Sequence, residues 1–222
     1  MRKLLLALAP VALVVAFGLL WLHEGTRHSA WVLSDENQPI ELVSFGAFFV
    51  AGLAGLWHLR ALAREGVPGG TRALFGLISL GLLVVAMEEI SWGQWFFRFE
   101  TPEAIEWRNM QGELNLHNLA WGYGKSEVLR MTFAAGGLVG LAAGRAGWLR
   151  RIAPGPALLP WFLVIAANAL VELLVAWAGL SLGEDLDRLV IHVMPEMTEM
   201  VIALAGLGYV LGVVRRTDEP TA

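Results

Sequence analysis

Long apolar runs separated by short charged segments divide the chain into six stretches. A helix that crosses a bilayer needs about 20 mostly apolar residues. The pattern predicts such helices at approximately Leu4–Leu22, Ile40–Ala63, Ala73–Phe97, Val128–Ala143, Ala157–Leu182 and Leu189–Val214. The fourth is the least apolar. Its string "FAAGGLVGLAAG" suits close packing against other helices rather than exposure to lipid. The first follows Arg2 and Lys3, but its apolar core is long for a secretory signal and no A-x-A site closely follows it, so a retained helix is expected. The expected fold is all-α, a single polytopic integral membrane bundle over residues 1–222. An interfacial helix is expected in the outer loop 98–126, after the third span.

Charge gives the stretches a direction. Arg2 and Lys3, then Arg60, Arg64 and Arg72, then Arg145, Arg150 and Arg151, then Arg215 and Arg216 fall on one side. Arg27, Arg98, Arg108, Lys125, Arg130 and Arg188 fall on the other, mostly among acids. Cytoplasmic loops carry the excess of Lys and Arg. The alternation therefore predicts an even number of crossings, with both termini cytoplasmic. Composition agrees with the membrane class: 56% of residues are hydrophobic and only 16% are charged. Cysteine is absent, which excludes disulfides and thiolate metal sites. No basic tract points to nucleic acid, and no internal repeat points to an inverted-repeat transporter.

Ionisable residues inside the spans are the candidate chemistry, because they are costly in lipid and usually face a protein interior or a watery cavity. Glu88 and Glu89 lie late in span three, Glu172 lies in the outer half of span five with Asn168 one turn earlier, and Glu41 sits at the outer mouth of span two. In span six, His192, Glu196 and Glu199 stand at i, i+4 and i+7, and at about 100° per residue they share one face. Pro195 among them is expected to kink the helix or free a carbonyl. An imidazole and a carboxylate one turn apart make half of a metal site. The plainer alternative is a hydrogen-bonded stripe joining helices. Adjacent carboxylates in low dielectric call for a cation or a shared proton between them.

In the outer loop, Thr101, Pro102 and Glu103 form a helix start, predicting a short helix to about Gln111. Trp92, Trp95, Trp107, Trp121 and Tyr123 suggest a headgroup-level position. Asn109, Gln111, Glu113, Asn115, His117 and Asn118 would form a lid over an acidic cavity, or else an ordinary polar loop.

The strings "EEISWGQ" (88–94) and "NMQGELNLHN" (109–118) resemble a pattern in a family of uncharacterised bacterial polytopic membrane proteins. The resemblance covers about residues 87–119 and brings no activity with it. The intramembrane His/acid cluster also resembles that of ceramidase-type membrane hydrolases, although no H-x-x-x-H pair is present.

The leading expectation is a membrane-embedded, metal-dependent hydrolase or transferase acting on a lipid or lipid-linked substrate. Its metal (Zn, Fe or Mn) would be held by His117, His192, Glu196 and Glu88, with Glu88, Glu89, Glu172 and Glu199 as acid–base groups. A proton- or cation-coupled transporter and a non-catalytic subunit bound to other membrane-protein subunits are the alternatives.

Overall fold

The computed structural model describes residues 2–35, 38–109, 112, 114–115 and 126–218, leaving aside the side chains of 2, 3, 95 and 218. Among the described residues the chain is helical, with no strand. The long helices are α1 (Arg2–Leu22), α3 (Pro39–Arg64), α4 (Gly69–Glu89), α7 (Ser126–Arg145), α8 (Leu159–Ala176) and α10 (Met194–Asp218). Shorter helices are α2 (Glu24–Leu33), α5 (Gln94–Phe97), α6 (Glu103–Glu106) and α9 (Glu184–Arg188). A π turn, Leu189–Val193, joins α9 to α10 without a break.

Five segments are long and apolar enough to cross a membrane: Leu4–Leu22, Pro39–Arg64, Gly69–Glu89, Pro156–Ala176 and Glu184–Thr217. The protein is thus a multi-pass membrane protein by its helices. The predicted fourth span, α7, is helical but is not among these five, since Glu127, Arg130 and Arg145 lie within its 20 residues.

The last helix is the hub. Val201, Ala203, Ala205, Val210 and Val213 of α10 are fully buried, and α3, α8, α7 and α1 pack around it. The α3–α4 hairpin closes tightly because Gly52 and Gly55 of α3 face Ser79 and Leu83 of α4; a Cβ on Gly55 would lie 2.2 Å from the Ser79 hydroxyl. In α7, Gly137 faces the Phe162 ring at a similarly short range. That is the close packing expected of its Gly/Ala run.

Two ends are defined by contacts between helices. At one end, Trp161 reaches Leu6, His58 pairs with Thr217 at 2.9 Å, and Arg216 donates to the Ala153 carbonyl. At the other, the Trp21 indole donates to the Asp185 carbonyl, and Arg27 of α2 is ion-paired with Asp185. Most arginines cluster at the first end and most acids at the second.

Several boundaries differ from the predicted ones. Span three was expected to run to Phe97, but α4 stops at Glu89 because Ser91, Trp92 and Gly93 all take positive φ, of 45°, 54° and 84°. A right-handed helix cannot pass through such residues. The outer-loop helix expected to reach Gln111 is only α6. Thr101 does not cap it; its hydroxyl instead donates to the Gly112 carbonyl. Trp107 is 71% exposed with Arg108 over its ring. Helix α2 was not foreseen. It folds back on α1, placing Trp31 against Trp21.

Pro10 lies inside α1 and has no N–H to give to the carbonyl four residues earlier. That carbonyl is Leu6, and the Trp161 indole of α8 donates to it at 2.8 Å. In an apolar phase an unpaired carbonyl costs free energy. Trp161→Phe, which keeps the ring but removes the donor, should lower stability by about 1–3 kcal/mol, read from unfolding in detergent. Trp161→Phe combined with Pro10→Ala should recover much of the loss, because alanine restores the helix's own hydrogen bond.

Candidate functional site

The acid end of the bundle gathers polar side chains from five helices: Glu41 of α3, Glu88 and Glu89 of α4, Glu127 and Arg130 of α7, Asn168 and Glu172 of α8, and Glu196, Thr198 and Glu199 of α10. Its centre is Arg130, only 3% exposed. One guanidinium nitrogen, Nη2, donates to Glu172 Oε1 at 2.5 Å, and the other, Nη1, donates to Glu199 Oε1 at 2.6 Å. One side chain therefore joins α7, α8 and α10. Its Nε is buried without a hydrogen-bond partner.

Around this triad the remaining groups are fixed individually. The Trp177 indole donates to buried Glu127, and Asn168 donates to the Thr198 hydroxyl at 3.2 Å. Glu89 is half-buried and within electrostatic reach of Glu199, Glu196, Glu41 and Glu88. Glu88 accepts the Trp92 indole N–H at 2.6 Å. Glu88 and Trp92 thus meet as expected, though across the left-handed corner rather than along one helix.

The loop beyond that corner is stitched down by amides. Gln94 donates to the Thr101 hydroxyl and accepts from the Leu114 amide, while Asn109 donates to both the carbonyl and the side-chain oxygen of Asn115. Asn115 reaches Ser91 at 3.3 Å. Asn109 and Asn115 are 6% and 4% exposed, so part of the amide-rich segment covers the end of α4 as a lid would. Gln111, Glu113, His117 and Asn118 lie outside the described residues.

His192 sits in the π turn and is exposed, whereas Glu196 and Glu199 are half-buried. A π turn holds one extra residue and so alters the register of His192 relative to the helix that carries Glu196 and Glu199. Pro195 lies two residues past the end of that turn, in the first turn of α10, where a proline is tolerated. Among the described residues no three His, Asp or Glu side chains are grouped to hold a metal ion. The expected ligand set includes His117 and so falls partly outside them.

Sequence reasoning missed Arg130 as a site residue by counting it among the outer-side cations. The signal was present: it lies inside an apolar stretch, where a charge needs a partner. Glu172 and Glu199, expected as acid–base groups, are its partners.

Beneath the polar groups the bundle is apolar. Ala86, Ala134, Ile165, Val201, Ala203 and Ala205 are all fully buried. From Glu199 to Tyr209, the next ionisable residue along α10, ten residues of helix span about 15 Å. Among the described residues the polar groups of the site are one-sided, gathered at the acid end. No protein-family model, no curated protein and no solved structure matches the chain.

Removing one partner of a buried ion pair leaves the other charge uncompensated. Arg130→Met should therefore destabilise the bundle by about 3–5 kcal/mol. Adding Glu172→Gln and Glu199→Gln to it should recover a large part, because the stranded charges go too. A denaturation series in detergent measures both. Equal stability of Arg130→Met and wild type would remove the triad from its structural role.

Proposed function

We propose that the protein is a bacterial inner-membrane enzyme acting on a lipid or lipid-linked substrate at an outward-facing pocket. In this reading α7 completes six crossings, both termini are cytoplasmic, and the acid end faces outward. The observation that carries it is the one-sidedness of the polar cluster. A transporter needs polar groups along a path to the far side, but an apolar plug underlies this cluster. An enzyme that meets its substrate in the outer leaflet needs no such path.

Glu89 is the candidate general acid–base, since it faces other carboxylates rather than an arginine. Arg130 holds Glu172 and Glu199 in fixed positions, where they would orient a polar headgroup. A divalent metal held by Glu88, Glu196, His117 and His192 would add Lewis-acid chemistry to the same pocket. A second reading, a subunit of a larger membrane complex, is favoured by Trp57, which is 81% exposed within α3.

Purified protein incubated with total bacterial membrane lipid, followed by mass spectrometry of the lipids, tests the proposal. Turnover of one lipid class is expected, with Glu89→Gln reducing it about 100-fold or more. Metal analysis of wild type and His192→Ala separates the metal-assisted form from the acid–base form. Absence of any lipid turnover, together with ion flux in proteoliposomes that Glu89→Gln abolishes, would overturn it in favour of transport.

A further inference from the structure

At the opposite end of the bundle, α4 and α7 stand apart and leave a lateral cleft of about 380 Å³. Ile78 and Leu82 form one wall, Phe133 and Gly136 the other, and Ala205 and Tyr209 of α10 the floor. The lining is almost wholly apolar. Its volume is within the range of pockets that hold a small ligand.

The cleft ends in positive charge. Its lining includes Ala153, whose carbonyl accepts from Arg216 Nη2 at 2.6 Å. Arg216 Nε is buried and has no hydrogen-bond partner. The hydroxyl of Tyr209 lies within electrostatic reach of the same guanidinium. Arg150 and Arg151, both exposed, sit between the lining residues Leu149 and Ile152; Arg151 is ion-paired with Glu65 at 3.4 Å, and Arg150 is the more available of the two. Trp148, 84% exposed, is placed to lie among headgroups beside them. An apolar slot with arginines next to its lining residues Leu149 and Ala153 matches an amphiphile with an anionic head. Guanidinium groups bind phosphate through directed N–H donors.

We infer that this cleft binds one anionic phospholipid from the leaflet on the arginine-rich side. One acyl chain lies between α4 and α7, and the phosphate is drawn to the guanidinium charge of Arg150 and Arg216 beside the lining residues Leu149 and Ala153. The site is separate from the carboxylate pocket and does not depend on that pocket being catalytic.

The test is lipid retention, read by native mass spectrometry on protein taken from nanodiscs of equal parts phosphatidylglycerol and phosphatidylcholine. Wild type should retain one phosphatidylglycerol per chain in preference to phosphatidylcholine. Arg216→Gln should weaken that retention roughly fivefold, and Arg150→Gln, at an exposed position, by a comparable or smaller factor. Gly136→Leu fills the slot from a position where an added Cβ meets nothing within 4 Å. It should abolish retention with no change of charge. Arg27→Gln, at the other end, should leave it unchanged. Equal retention of the two lipids would reduce the cleft to a plain apolar groove and overturn the inference. So would wild-type retention in both Gly136→Leu and Arg216→Gln, each confirmed as folded by its thermal transition.

Discussion

An arginine withdrawn from water has to be met by charge and by hydrogen bonds, and in this bundle that requirement ties three helices together. Arg130 starts on α7, the helix with the weakest claim to a place among lipids, and its two carboxylate partners come from α8 and α10. Helix α7 is held as well by close glycine contacts, by the Phe133–Phe162 ring pair and by the Trp177 bond to Glu127. The ion triad sets the depth of α7 against its neighbours. It also fixes two glutamates of the polar cluster, so the stability of the helix packing and the geometry of the cluster rest on the same group.

The helix interiors were legible because hydropathy alone decides where about 20 apolar residues can lie. Their ends were less so. The stop at Glu89 depends on backbone angles at Ser91 and Trp92, and neither residue type announces a left-handed conformation as glycine does. Helix α2 is short and balanced between polar and apolar residues, so it left no spanning signal. The acids of the site were recognisable one by one from their positions in apolar runs. So was Arg130 by the same rule, but its pairing was not, because it meets Glu172 and Glu199 across 42 and 69 residues of chain. Pairing at that range is a property of topology, which a local pattern does not carry. Pro195 was a visible disturbance in α10, read as a kink or a freed carbonyl, but the pattern did not announce the π turn that ends two residues before it.

The two ends of the molecule solve opposite electrostatic problems. The acid end concentrates carboxylates and has to hold them apart or bridge them. It does so with Arg130, with indole donors at Glu88 and Glu127, and with a loop pinned by amides. The other end spreads its arginines around a loop and leaves one of them partly buried against backbone. Between them the bundle is nearly featureless, closed by small residues of α10 and the side chains facing them. Solvent or charge entering at either end meets that barrier.

The bond between Trp161 and Leu6 joins residues 155 positions apart, and this bears on how the protein is assembled. Helix α1 leaves the ribosome with an open carbonyl that its own proline has created. Nothing in the hairpin of α3 and α4 satisfies it, since the donor belongs to α8. Until α8 arrives, α1 is a complete hydrophobic segment with an incomplete backbone. The chain therefore closes its first helix only after most of the bundle has been threaded, and the proline acts as a latch that engages late.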